Sequence, residues 1–352
     1  MSNHRFKSTQ KRSAESEPLI NKITQYVAVI GVGSPTTNYS LLVDTGSSNT
    51  FVGSSKAYVK TPTSVDLNST FAIKYSVSNA TGELYKDSVT IASLVIPAQI
   101  IGVANATISE LSGLDGILGV GPSDLTQGTS PYAKTIPSVL ENLFSQKLIP
   151  SNVFALSFRP STGEEEMNGE ITLGGIDSSK FTGAISYVPL SKTLPSTLYW
   201  GVDASAHYGP GKTPIFNSTA GIVDSGTTMI ELGTYAYKTY QMVTGAVPDV
   251  KTGLLALNAA QFSALQSLYF NIGGKAYEVT ANAQIFPRKF NSLIDGDVNK
   301  IYLIVGDLKS APSSGMDFIL GQTFLERYYS VYDTSNARIG LATTEYTLAT
   351  SN

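Results

Sequence analysis

Residues 41–53 read LLVDTGSSNTFVG, and residues 220–232 return the same pattern as AGIVDSGTTMIEL. Each copy is an apolar run ending at an aspartate, then a hydroxyl residue, a glycine and two more hydroxyl residues. A second pair follows in the same order: GLDGILGVG at 113–121 and GMDFILGQTFL at 315–325. One Asp-Thr-Gly alone is weak, because an aspartate at a strand end readily forms an Asx-turn. Two independent motifs, repeated in order at comparable spacing, imply duplicated lobes. A chain of this kind has to bring Asp44 and Asp224 to equivalent places.

The segments between the motifs read as strands. YVAVIGVG, FAIKYSV, NVFALSF and GEITLGGI are short, rich in Val, Ile, Tyr and Thr, and bounded by Gly, Pro, Ser or Asn. Helical periodicity is scarce. IPSVLENLFSQKLIP is one candidate, with Ile136, Val139, Leu140, Leu143 and Phe144 on one face. GTYAYKTYQMVTGAV is a second, and NAAQFSALQSL a third with Asn258 as its N-cap. The expected fold is all-β and bilobal, two pseudo-twofold-related lobes with a few short helices.

Composition removes several chemistries. The chain has 352 residues, enough for two lobes and a large core, and no cysteine, which excludes a disulfide scaffold, a thiol nucleophile and a Cys-bound metal. The histidines are His4 and His207 only, so a Ser-His-Asp triad would have to rest on His207, and a histidine zinc site is not expected. Glu164-Glu165-Glu166 reads as a solvated loop, because carboxylates adjacent in sequence diverge. A net charge of -3 points to neither nucleic acid nor an anionic membrane as partner. Charged residues make up 14%, so hydroxyl and amide groups fill much of the surface.

Paired carboxylates suggest a different chemistry. If pseudo-twofold symmetry brings Asp44 and Asp224 into contact, both cannot ionise cheaply, and the pair holds one proton. It then offers a general base and a general acid side by side. Thr45 and Ser225 are placed to brace the two loops. Gly46 and Gly226 let backbone N–H groups approach the carboxylates. Ser47 and Thr227 are placed to donate to the outer oxygens.

With these motifs in view, the chain resembles the pepsin family of aspartic endopeptidases, and within it the fungal, polyporopepsin-like members that lack cysteine. The resemblance runs from about Tyr26 to Ala342 through VDTGSSN, DGILGVG, NGEITLGGIDSSKFTGAISYVPL, YWGV, GIVDSGTT and DFILG, all in family order. It implies the pepsin-like acid protease fold, cleavage of internal peptide bonds at acid pH by Asp44 and Asp224, no metal or other cofactor, and synthesis as a proenzyme. It further implies polypeptide substrates with hydrophobic residues around the cut bond, inhibition by pepstatin-type compounds, and a monomer that is secreted or held in an acidic vacuole. Ile117-Leu118-Gly119 and Ile319-Leu320-Gly321 would pack beneath the catalytic loops as core. Tyr75 matches the tyrosine of the family's cleft-closing hairpin, the flap, placed here at 71–91, and Tyr199 matches a cleft-lining tyrosine.

Two departures stand out. The family flap usually reads Tyr-Gly-x-Gly, whereas this one reads Tyr75-Ser76-Val77-Ser78, which implies a stiffer or reshaped flap. Phe51 stands where the family usually has a tryptophan that donates to the flap tyrosine; phenylalanine keeps the bulk and loses the donor. These departures keep an alternative open, a catalytically impaired pepsin-fold protein that binds peptides or acts as an inhibitor. Asp115, Asp317 and Trp200 are expected to be structural.

The remaining expectations concern organisation. Residues 1–13 read as a disordered N-terminal segment or propeptide remnant, with Lys11-Arg12 as a processing site and no apolar export signal. The N-terminal lobe is expected over 14–187 and the C-terminal lobe over 188–352. Asn38, Asn68, Asn79, Asn105 and Asn217 each open an Asn-X-Ser/Thr glycosylation sequence, about what this composition gives by chance.

Overall fold

Period-two alternation shapes most of the chain. In the strand Asn79–Ile91, Ala80, Gly82 and Leu84 turn inward while Asn79, Thr81 and Glu83 face solvent. The computed structural model describes residues 13–75, 78–106, 108, 111 and 113–352. His4, Lys11-Arg12, Ser76 and Val77 therefore lie outside the described residues, as does Thr107 of the Asn105 sequence.

The strands form one sheet of thirteen, one of seven and one of three. The largest sheet carries most of the N-terminal half and is closed at one end by strands from the C-terminal half. Tyr328–Asp333 pairs with Val153–Ser157, Arg338–Thr343 pairs with Tyr328–Asp333, and Thr182–Pro189 forms the edge beyond it. The last of these strands runs across the division expected at 187/188. The seven-stranded sheet belongs wholly to the C-terminal half.

The duplication is visible in the strand register. Thr37–Asp44 runs parallel to Gly116–Gly119, with Asp44 opposite Gly119. Thr50–Val52 then pairs antiparallel to Gly116–Gly119 and parallel to Leu94–Ala104. In the second half Thr213–Val223 runs parallel to Phe318–Leu320, with Val223 opposite Leu320. Ile230–Leu232 pairs antiparallel to Phe318–Leu320 and parallel to Val305–Asp307. The same four-strand arrangement thus occurs twice, which is the two-lobed, nearly all-β architecture the repeat demands.

The lobes are tied together by buried contacts. The Trp200 indole N–H donates to Val120 O at 3.2 Å, and its ring packs edge-on against Phe154 and Tyr332. Gln322 Nε2 donates to Ile23 O at 2.8 Å, and Thr228 Oγ1 to Thr24 O at 2.8 Å. Trp200 is core, as its sequence context suggests.

The helices are short. Val139–Ser145 is capped by Ser138, Thr234–Thr244 ends at Gly245 in the left-handed region, and Ala259–Ala264 starts with a capping box between Asn258 and Gln261. The face expected on the first helix needs one correction. Ile136, Val139, Leu140 and Leu143 are buried, but Phe144 is 41% exposed. The helix is too short to bury so wide a face. Among the described residues no helix is long and apolar enough to cross a membrane.

Candidate active site

Each catalytic-motif strand delivers its aspartate to the lobe boundary. Asp44 is the last residue of Thr37–Asp44, and Asp224 follows Thr213–Val223 directly; both are buried. The chain then turns so that its own backbone serves the carboxylate. Gly46 N–H donates to Asp44 Oδ1 at 2.8 Å, and Gly226 N–H to Asp224 Oδ1 at 2.9 Å. Ser47 Oγ donates to Asp44 Oδ2, and Thr227 Oγ1 donates to Asp224 Oδ2 at 2.6 Å. The glycine N–H groups thus hold the inner oxygens, those that lie toward the opposite loop, and the Ser47 and Thr227 hydroxyls hold the other two.

The glycines do more than supply N–H groups. A Cβ on Gly46 would sit 2.5 Å from Asp224 Oδ1, and one on Gly226 would meet Asp44 Oδ1 closer still. Each glycine therefore makes room for the opposite lobe's carboxylate, which is why glycine is required at both positions. Burial, then the negative charge of Asp224, raises the Asp44 carboxyl from its ordinary value. A hydrogen bond between the two carboxyls acts in the same direction, while the Ser47 and Gly46 donors oppose it. The pair holds a proton at a pH where an isolated carboxyl has lost it.

Thr45 and Ser225 lie behind the dyad. Their side chains bond the opposite loop's backbone, as the sequence suggests for a brace, and both are buried. The cleft in front has a volume of about 350 Å³ and contains Asp44, Asp224, Tyr75 and Tyr199 among its walls. Burial followed by the charges of Asp224 and Asp44 raises the Tyr199 hydroxyl. Tyr75 stands at the base of the hairpin tip, closed by its own N–H to Ser78 O at 2.8 Å. Its hydroxyl is buried and makes no well-formed hydrogen bond among the described residues; burial, then the charge of Asp44, raises it strongly, with the nearby Ser47 hydroxyl acting against this. Phe51 also lines the cleft, fully buried, with its ring centroid 6.0 Å from that of Phe71.

Leu118 and Leu320 are core, and Ile117 and Ile319 are buried as expected but also border the cleft, because alternation in a strand turns the two residues of each motif to opposite faces. Leu42 and Ile222 also line it. Each sits two residues before its aspartate, a period-two signal already present in the sequence. Gln25, Ile108 and Leu111 line it too with no local pattern to mark them, as do Thr228 and Met316, which fall inside the repeated motifs.

Other candidates resolve as structural. Asp115 Oδ2 accepts from Ser40 N–H at 2.8 Å, and Asp317 Oδ1 accepts from Ser314 N–H and Oγ, each at 3.1 Å. Glu166 accepts from Thr162 N–H at 2.6 Å, and Glu165 pairs with Lys22 at 3.7 Å. His207 stacks on Tyr269 at 4.9 Å with Asn271 on its Nδ1, remote from any nucleophile pattern. Among the described residues no group of three His, Cys, Asp or Glu could hold a metal. A larger cavity of about 440 Å³ lies between Thr213–Val223 and the helix Thr234–Thr244, lined by Phe216, Tyr235 and Pro312. Its one carboxylate, Asp317, is already bonded as above.

Comparison with known proteins agrees with this geometry. Polyporopepsin of Irpex lacteus is 54% identical over 97% of this chain and 100% of its own length. Cathepsin E of Rattus norvegicus is 30% identical over 93% of this chain and 82% of its own. The crystal structure of an aspartic proteinase from Irpex lacteus superposes with a TM-score of 0.94 at 53% identity, covering 97% of this chain and 100% of that one. The family model for eukaryotic aspartyl protease matches residues 25–344, and the chain belongs to that family of aspartic endopeptidases.

Proposed function

We propose that Asp44 and Asp224 are the catalytic dyad of this endopeptidase, and that it cuts internal peptide bonds at acid pH. The observation that carries this is the reciprocal fit at the lobe boundary. Each carboxylate is held by its own glycine N–H and hydroxyl, and each glycine lies against the other carboxylate.

The chemistry follows from one shared proton. The ionised carboxylate takes a proton from a water as its oxygen attacks the peptide carbonyl carbon. The protonated carboxyl gives its proton to the carbonyl oxygen, which forms a neutral tetrahedral diol. On collapse the protonated carboxyl gives its proton to the amide nitrogen as the C–N bond breaks, the other carboxylate takes a proton from a diol hydroxyl, and acid and amine products leave a dyad that again holds one proton. Below the acid range both carboxyls are protonated and the base is lost; above it both ionise and the acid is lost.

The peptide lies extended in the cleft beneath the hairpin of 71–91, with backbone hydrogen bonds supplying much of its affinity. Leu42, Ile117, Ile222 and Ile319 favour apolar side chains beside the cut bond. Tyr75 and Tyr199 contact substrate from opposite walls. The chain acts as a monomer in an acidic extracellular or vacuolar setting. The impaired-binder alternative finds no support in the site, where both aspartates keep their donors.

The test is cleavage of denatured haemoglobin from about pH 2 to about pH 7, with and without pepstatin. Acid-dependent cleavage abolished by pepstatin is expected. Cleavage that pepstatin leaves untouched would overturn the dyad reading.

A further inference from the structure

The twofold repeat has one position where its two halves differ in kind. Phe51 lies opposite Gly102 on one side and Ile117 on the other. Glu231 lies opposite Gly306 on one side and Ile319 on the other. The two residues also follow Asp44 and Asp224 at the same sequence interval. Glu231 is therefore the counterpart of Phe51, and Phe51 and Ile319 both line the cleft. Residues directly opposite in an antiparallel pair share a face. Glu231 accordingly shares a face with Ile319, at the margin of the cleft and just outside the residues that line it.

In the N-terminal lobe this place is sealed. Phe51 packs against Phe71 of the hairpin and is fully buried. In the C-terminal lobe the carboxyl is only half-buried, and it has no hydrogen-bond partner and no ion pair within 4.0 Å among the described residues. Its charged surroundings are Asp224 at the end of Thr213–Val223, Asp307 on the adjacent strand Val305–Asp307, and Lys309 just beyond. Asp307 is occupied by Thr234 Oγ1 at 2.8 Å and Lys309 N–H at 2.8 Å. Asp317, flanking Phe318–Leu320, is bonded to Ser314 and Thr219. Among the described residues Glu231 alone of these carboxylates, Asp224 included, is left without a hydrogen-bond donor. A partly desolvated carboxyl among other negative groups gains most from a cation that arrives with the ligand.

We propose that Glu231 makes the C-terminal wall of the cleft a subsite for a basic substrate side chain, lysine or arginine. The inference rests on the dyad reading, because the cleft it divides is the one that reading fills. Burial, then the charges of Asp224 and Asp307, raises the free carboxyl to about 7. Over the acid working range Glu231 is therefore neutral in the free enzyme. Seating a lysine ammonium beside it favours the carboxylate and releases one proton. The preference for lysine then grows with pH, by at most about tenfold per pH unit.

The experiment walks a single lysine through each position of an otherwise apolar peptide and compares it with norleucine at the same position. The readout is the lysine-to-norleucine ratio of kcat/KM from about pH 3 to about pH 6, in which the dyad's own titration cancels. At one position the wild-type ratio should rise with pH, and in Glu231→Gln it should be flat. A ratio flat at every position in the wild type overturns the proposal without any variant, and so does a rise that survives in Glu231→Gln. If norleucine peptides show no pepstatin-sensitive cleavage at all, the dyad reading itself falls; if they are cut with a flat ratio, only the role of Glu231 does.

Discussion

Thr45 and Ser225 exchange hydrogen bonds across the lobe boundary in both directions. Ser225 N–H donates to Thr45 Oγ1 at 2.9 Å, and Thr45 N–H donates to Ser225 Oγ at 3.0 Å. Each hydroxyl passes its own proton on to the opposite strand, Thr45 to Val223 O at 3.0 Å and Ser225 to Val43 O at 2.7 Å. All four groups are buried, so water cannot replace a lost partner. Thr45→Val should cost about 2 to 4 kcal/mol, because it leaves a buried N–H and a buried carbonyl unpaired. Ser225→Ala should cost a similar amount. The double variant should cost less than the sum by at least about 1 kcal/mol, read from thermal unfolding at acid pH. Strict additivity would mean that the two hydroxyls do not act as one brace.

A second prediction concerns Glu326, in the core between the lobes. It is 9% exposed, and its Oε1 accepts from Gln322 Nε2 at 3.1 Å with the Tyr26 hydroxyl 3.5 Å away. Burial raises its carboxyl from the ordinary 4.5 to about 7, against the opposing charge of Arg327. The native state therefore binds this proton more tightly than the unfolded chain does. Its contribution is fully present below about pH 4.5 and is lost as pH rises toward about 7, a change of about 3 kcal/mol. Glu326→Gln should flatten the fall in thermal midpoint across that window. A pH dependence identical to the wild type would mean that Glu326 is not the group that titrates.

Much of this was legible in the sequence, and the failures have physical causes. The dyad and its four hydroxyls are local motifs, each bonding within three residues of its aspartate or across a symmetric copy of itself. Ile117 and Ile319 are buried as their apolar motifs imply, but that they also border the cleft is invisible in an Ile-Leu-Gly run that is apolar throughout. Only the strand register decides that the isoleucine faces the cleft and the leucine the core. Glu231 is marked in the sequence only by standing at the same interval after Asp224 as Phe51 does after Asp44. Its position follows from pairing with Gly306 and Ile319, contacts between distant segments.

Phe51 and Tyr75 give a third prediction. The Tyr75 hydroxyl is buried and makes no well-formed hydrogen bond among the described residues, and Phe51 has no donor to offer it. Phe51→Trp should supply an indole N–H and hold the hairpin base over the cleft. Satisfying one buried hydroxyl is worth about 1 kcal/mol, so kcat/KM should rise about fivefold. A fall or no change would mean that this hydrogen bond does not limit turnover.

Gly46 gives a fourth. A methyl group there would displace the Asp224 carboxylate, whose Oδ1 would lie 2.5 Å from the new Cβ. Gly46→Ala should lower kcat by at least about 10²-fold at every pH, since misplaced acid–base groups lose most of their effect. Near-normal kcat would mean that the carboxylates need not lie as close as the structure places them.

The most direct test of the central claim is whether Asp44 and Asp224 act as a single unit. Asp44→Asn, Asp224→Asn and the double variant should be assayed for kcat on one peptide at acid pH, with folding checked by circular dichroism. Each single substitution should lower kcat by at least about 10³-fold, and the double variant should be no worse than either. A single variant that is folded and keeps more than about a tenth of the wild-type rate would contradict the account.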